Sequence, residues 1–147
     1  MTLHRAADGG PASPFDAIVI GAGQAGPSLA HRLADAGMTI AFVERKLFGG
    51  TCVNTGCMPT KTLIASARAA YVARRSRDFG VVIHGEVGID MPRVKARADK
   101  VSAESRAAVE ASLRGLPRCT VIREHARFEG PTVVRAGDQL LGAPRIF

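Results

Sequence analysis

The strongest constraint on the fold lies in residues 15–44. Phe15 to Ile20 reads Phe-Asp-Ala-Ile-Val-Ile, a short apolar run rich in β-branched residues. Such a run predicts a buried parallel strand. Gly21-Ala22-Gly23-Gln24-Ala25-Gly26 follows at once. Pro27 to Ala36 has helical spacing, with Leu29, Ala30 and Leu33 on one face, and Gly37 is placed to stop it. Met38 to Val43 is a second apolar strand, ending at Glu44. A G-x-G-x-x-G hexapeptide by itself fits any glycine-rich turn of an α/β protein. With a strand before it, a helix and second strand after it, and an acid at that strand's end, it predicts dinucleotide binding. Gly21 makes the tight turn, Gly23 lets the backbone approach a pyrophosphate, and Gly26 lets helix and strand pack closely. The helix start offers N–H groups and a positive dipole to the phosphates. Glu44 can accept hydrogen bonds from ribose hydroxyls and would repel a 2′-phosphate, which disfavours NADP in this site.

The second constraining stretch is Gly49-Gly50-Thr51-Cys52-Val53-Asn54-Thr55-Gly56-Cys57-Met58-Pro59-Thr60-Lys61. Two cysteines at this spacing suit buried thiols or metal ligands as well as a redox pair. Three features favour the redox pair. Two cysteines are too few for a closed zinc site, which takes four ligands, and neither Cys119 nor the four histidines add a matching spacing. A regular helix would hold residues i and i+5 roughly 8 Å apart, beyond the roughly 7 Å Cα limit for a disulfide, whereas Asn54-Thr55-Gly56 is turn chemistry that can bring the sulfurs together. The stretch also directly follows the dinucleotide pattern.

The remaining chain supplies a frame. Residues 1–14 are small and polar without periodicity and read as a disordered leader. A helix is predicted from Pro59 to Arg77, with Leu63, Ile64, Ala67, Ala70 and Tyr71 as its apolar stripe. Tyr71 is thus expected in the core rather than in chemistry, with Arg68, Arg74, Arg75 and Arg77 on a solvated side. Asp78-Phe79-Gly80 ends the helix, and residues 81–89 form a loop or edge strand. Asp90 is placed to cap a long antiparallel partner helix running to Gly115, with Val94, Ala98, Val101, Ala108, Val109 and Leu113 at helical spacing. His84 and this helix's arginines read as surface. Cys119 to Ile122 is a third β-branched strand in which Cys119 acts as a small hydrophobe. Thr132 to Arg135 and Gln139 to Leu141 flank Ala136-Gly137-Asp138 as a β-hairpin. Pro144 to Phe147 is an extended apolar segment with no polar close, so the chain is expected to be incomplete.

Composition narrows the function classes. The 147 residues suffice for one domain. The net charge of +7 reads as a solvated arginine-rich surface, and with one Tyr and six Phe and no nucleic-acid motif, nucleic-acid binding is not expected. No apolar run approaches the ~18 residues of a spanning helix, so no membrane role is expected either. Three cysteines without a signal-peptide pattern place the chain in the cytoplasm, where a disulfide that cycles is the expected kind.

Phe15 to Glu44 followed by the 49–61 motif resembles the N-terminal FAD-binding part of the class I pyridine nucleotide–disulfide oxidoreductases, which include dihydrolipoyl dehydrogenase, glutathione reductase and mercuric reductase. The resemblance runs from Phe15 to Phe147, and the Pro59 to Ala67 run is most similar to mercuric-reductase-like members. Thr55 and Met58 depart mildly from the family's pattern. The resemblance implies an α/β, Rossmann-like FAD/NAD(P)-binding domain spanning 15–147, truncated, with a parallel sheet, a long helical pair and a β-hairpin or meander. It implies that Gly21, Gly23 and Gly26 approach the FAD pyrophosphate, that Glu44 holds the adenosine ribose and that Gly50 and Thr51 lie along the phosphates. Cys52 would then be the interchange thiol, Cys57 the thiol against the flavin, Lys61 a charge near the flavin ring, and the backbone at His125 and Ala126 an adenine contact. Thiolate character at Cys57 is expected from a helix start and Lys61. NAD(P)H would be the donor and a small disulfide or Hg(II) the acceptor. No structural metal is implied. The resemblance implies a homodimer for the complete enzyme, a second nucleotide domain that this chain lacks, and little activity in this chain alone. A non-catalytic dinucleotide-binding module, or a piece of a dihydrolipoyl dehydrogenase, are the alternatives. Gly137-Asp138 resembles a flavin-ribityl Gly-Asp pair only superficially, because it falls in the hairpin.

Overall fold

A computed structural model describes residues 15–147; the expected leader at 1–14 lies outside the described residues. The chain divides into two compact units. Among the described residues, one holds 15–50 with Arg106–Phe147, the other Thr51–Ser105.

The first unit is built on a parallel sheet of β1 (Ala17–Ile20), β2 (Ile40–Val43) and β3 (Cys119–Ile122), with β2 central. Its register pairs Ile18 with Ala41 and Ala41 with Thr120. The last residues extend it: Ile18 N donates to Arg145 O at 2.9 Å, and Phe147 N donates to Ile18 O at 2.9 Å. The apolar segment at 144–147 thus lies along the free edge of β1. All four residues of β2 are buried, as a strand covered on both faces requires. Alternation sends them two ways. Ala41 and Val43 join Ile18, Ile122, Val134 and Leu141 in one cluster, while Ile40 and Phe42 join Val19, Ala30, Phe48 and Leu113 in another. The first cluster packs against an antiparallel meander of β4 (Ala126–Gly130), β5 (Val133–Ala136) and β6 (Gln139–Gly142). The β5–β6 turn uses Gly137 at φ +58°, the sign a II′ hairpin needs at its first central residue. The second cluster is covered by α1 (Ala25–Asp35) and by the end of α4 (Met91–Arg114).

The second unit contains α2 (Gly50–Asn54, whose first residue belongs to the other unit), α3 (Cys57–Arg74), a 3₁₀ turn (Ser76–Phe79) and the first part of α4. Asp90 caps α4 as expected, its Oδ1 accepting Arg93 N at 2.9 Å. Arg97 reaches from α4 to the Thr62 carbonyl of α3 at 3.0 Å, so this arginine pairs the helices rather than being plain surface. Gly80 ends the 3₁₀ turn at φ +73°, and 81–89 is a loop without strand pairing.

Several expectations need correction. The helix expected from Pro59 starts at Cys57 and ends at Arg74, because residues 76–79 tighten into a 3₁₀ turn. Its apolar stripe is not core. Thr62 is the buried residue of α3, while Leu63, Ile64, Ala67 and Tyr71 are exposed. Tyr71 is 56% exposed and bonds the Arg75 guanidinium, which also lies 5.3 Å above its ring. Helical spacing marks an apolar face but not whether anything covers it. On α4, Ala108 is exposed although Ala98 and Leu113 are buried.

Candidate functional site

The glycine loop sits between β1 and α1. Gly21 takes φ +100° and its N–H donates to Val43 O at 2.8 Å. A Cβ on Gly26 would lie 2.1 Å from Gly21 O and 3.3 Å from the Phe42 ring, so only hydrogen permits this strand–helix approach. A Cβ on Gly23 would meet nothing within 4 Å. That face of the loop is open and is the cradle a side chain would fill. α1 has no side-chain cap and no acid in its first turn, so its leading N–H groups stay available to an anion.

Glu44 is held by two backbone donors: Oε2 accepts Ala22 N and Oε1 accepts Lys46 N, each at 2.7 Å. An ionised carboxylate accepts about four hydrogen bonds, so each oxygen retains a lone pair for a ribose hydroxyl. Glu44 borders a cleft of about 220 Å³ that is also lined by Gly21, Arg45, Glu124, His125 and Ala126. The tertiary structure therefore gathers Gly21, Glu44, His125 and Ala126, which are far apart in the chain. A neighbouring cleft of about 330 Å³ is lined by Gly21, Gly23, Gly26, Leu29 and Phe147.

Gly50 joins this cradle, and with it Gly49, which sequence reasoning had not singled out. Both take positive φ, +89° and +58°. Gly49 N donates to Ala22 O at 2.7 Å, and Gln24 Nε2 donates to Gly49 O at 3.2 Å. A Cβ on Gly50 would stand 2.9 Å from Gly23 Cα. The paired glycines were the only local signal for this docking, and nothing in the local sequence assigns Gln24 its role.

In the second unit, Thr51 and Cys52 lie on α2 and Cys57 opens α3. Gly56 makes the break between them. A Cβ there would be 3.0 Å from Thr51 O, the carbonyl that Thr55 N bonds at 2.9 Å. This is the expected departure from one regular helix. All three cysteines are free thiols, with Cys52 half-buried and Cys57 exposed. The Cys57 side chain hydrogen-bonds Cys52 and, with desolvation and repulsion between the two sulfurs, pushes the Cys52 thiol up. A backbone bond at Cys57 and the Lys61 ammonium oppose this more weakly. Lys61 lies exposed one turn along α3 from Cys57, and its charge favours the Cys52 thiolate. Cys119 packs at the second core cluster, and burial pushes its thiol up.

Among the described residues, no group of three or more His, Cys, Asp or Glu could hold a metal ion, and no helix is long and apolar enough to cross a membrane.

Residues 15–141 match the sequence family described as pyridine nucleotide-disulphide oxidoreductase. The dihydrolipoyl dehydrogenase of Chlamydia muridarum is 40% identical over 146 aligned residues, covering 90% of this chain and 31% of that protein. The one from Rhizobium etli is 42% identical over 98 residues, 67% of this chain and 20% of that protein. Among solved structures, the HOCl-induced flavoprotein disulfide reductase RclA of Escherichia coli matches with TM-score 0.74 and 30% identity, over 90% of this chain and 27% of that one. Its Cu(II) complex matches with TM-score 0.73 and 31% identity, over 89% of this chain and 26% of that one. The chain therefore spans between a fifth and a third of the length of these relatives.

Proposed function

The chain belongs to the pyridine nucleotide-disulphide oxidoreductase family, and on that premise we propose that it holds FAD on the glycine cradle and carries the redox dithiol of a flavoprotein disulfide reductase. The observation that carries this reading is the approach of the Cys52 and Cys57 thiols across the α2–α3 break at Thr55 and Gly56, α2 itself starting at Gly50 of the cradle. The open face at Gly23 and the two spare acceptors on Glu44 fit a pyrophosphate and an adenosine ribose. His125 and Ala126 line the cleft where the adenine would lie, and Thr51 follows Gly50 along the phosphates. When bound, FAD supplies two-electron exchange between NAD(P)H and the cysteine pair.

The protein's own sulfur chemistry then balances. The Cys52 thiolate attacks one sulfur of a small disulfide and expels the other as a thiolate. Cys57 attacks the Cys52 sulfur of the mixed disulfide and releases the second thiolate. The Cys52–Cys57 disulfide forms as the substrate gains two electrons, and two protons pass to the leaving thiolates. Lys61 favours the Cys52 thiolate in the first step. Dihydrolipoyl dehydrogenases among the relatives favour a small dithiol/disulfide couple. Hg(II), a soft ion suited to two thiolates, is the second acceptor, favoured by the Pro59 to Ala67 run. We further propose a cytoplasmic setting, which suits free thiols, and a homodimer for a protein of the relatives' full length, with the exposed apolar face of α3 available for contact.

The test is thiol counting on the purified chain with FAD. Oxidation should remove two labelled groups, Cys52 and Cys57, while Cys119 labels slowly in both states. Equal labelling before and after, with FAD bound, would leave the non-catalytic dinucleotide-binding module as the better reading.

A further inference from the structure

Gln24 stands at the N-cap of α1, where short polar side chains normally cap the helix. It makes no capping bond; its amide instead reaches the Gly49 carbonyl at 3.2 Å. That carbonyl belongs to a buried residue whose N–H is already bonded to Ala22 O at 2.7 Å. Gly49 is therefore held on both its backbone groups by the glycine loop, once by main chain and once by the Gln24 side chain. Just before it, the Phe48 side chain is fully buried in the second core cluster. Just after it, Gly50 approaches Gly23 so closely that a Cβ would stand 2.9 Å from its Cα. Two consecutive residues at positive φ form a stretch with low intrinsic preference for one conformation, and the Gln24 bond removes that freedom.

We infer that Gln24 is a positioning residue that locks Gly49–Gly50 onto the glycine loop, so that both walls of the cradle are set before a ligand arrives. Because its amide is committed to Gly49, Gln24 leaves the first N–H groups of α1 uncapped for an anion. The inference deepens the proposed function and rests on it for the identity of the anion, the FAD pyrophosphate. The lock itself does not depend on that identity.

Amide hydrogen exchange of the whole chain by NMR tests it. In Gln24→Ala, exchange at Gly49 should quicken roughly fivefold, the effect of one neutral hydrogen bond on a local opening, while Gly21 and Ile18 amides stay unchanged. Gln24→Glu keeps the length but offers no donor while ionised. Its Gly49 amide should exchange fast at neutral pH and regain protection as the introduced carboxyl protonates, near about pH 4.3. The parent chain over the same range controls for Glu44, which bonds the neighbouring Ala22. Unchanged Gly49 exchange in Gln24→Ala, or no recovery on acidifying Gln24→Glu, would overturn the lock. Added FAD should slow Gly49 exchange in the parent chain. If it does not, the cradle is not the FAD site, and the two variants still decide the lock.

Discussion

Replacing either of two glycines in the same loop by alanine should separate folding from ligand binding. A Cβ at Gly26 would sit 2.1 Å from the Gly21 carbonyl oxygen and 3.3 Å from the Phe42 ring. The first contact is with backbone, so α1 must move away from the end of β1 by about an ångström to restore van der Waals distance. Phe42 is fully buried and cannot yield sideways. Overpacking of this kind costs typically about 1–3 kcal/mol. The 2.1 Å clash is with backbone, which puts the cost at the upper end of that range, about 3 kcal/mol; alanine's helix preference over glycine returns about 1 kcal/mol at most, so the net loss is about 2 kcal/mol. For a domain of this size that lowers Tm by roughly 4–8 °C. Gly23→Ala places its Cβ in open space at a φ that alanine adopts freely, so stability should hold or rise slightly. The same methyl fills the cradle, and FAD affinity should fall at least about tenfold, or about 1.4 kcal/mol. Thermal melts by circular dichroism and calorimetric titration with FAD read the two effects. Unchanged melting of Gly26→Ala, or parental FAD affinity in Gly23→Ala, would refute the reasoning.

Further expectations follow from individual contacts. Cys57→Ala removes the hydrogen bond that raises the Cys52 thiol, so the pH midpoint for Cys52 alkylation should fall, whereas Lys61→Met should raise it. The raised thiol stabilises the fold at low and neutral pH, and that share is lost as pH rises through its folded value. Glu44→Gln keeps one acceptor for the Ala22 and Lys46 amides that the carboxylate now serves; it should cost about 1–2 kcal/mol in denaturant titration and weaken FAD binding. Asp16 accepts the Thr39 N–H at 2.7 Å and its hydroxyl at 2.8 Å, and the backbone bond first among these holds its carboxyl below the ordinary aspartate value. Its stabilising share is present above that value and lost as pH falls through the lowered one, so Asp16→Asn should flatten the acid limb of a pH–stability profile. NAD(P)H oxidation assayed with the purified 147-residue chain and FAD should show no turnover, because its sequence carries a single G-x-G-x-x-G loop.

Much of the fold was legible because its signals are local. Short runs rich in β-branched residues placed β1, β2 and β3 within two residues of their ends. Asp90 announced the start of α4 by the chemistry of capping, and Ala136-Gly137-Asp138 announced the hairpin as turn residues between two apolar runs. The α2–α3 break was legible as a need, since two cysteines in one regular helix would stay apart, and Gly56 met it. The start of α3 was misread because Pro59 is an equally good residue for a first helical turn as for the third position it occupies. The burial of Tyr71 was misread for another reason: periodicity reports the direction of a face and not the presence of a neighbour.

By itself, then, the sequence determined the backbone of the cradle and the identity of the thiols. Gly21 and Gly26 are demanded by a turn and by a close approach, both short-range requirements that leave a mark in residue type. Only the tertiary structure brought Gly49–Gly50 back onto Gly21–Gly26, tied Glu44 to Ala22 rather than leaving it free, turned Gln24 away from its helix and set His125 and Ala126 beside Glu44. Those contacts join residues separated by a strand and a helix or more. Their hydrogen bonds are made to backbone atoms, which every residue carries and no sequence pattern distinguishes.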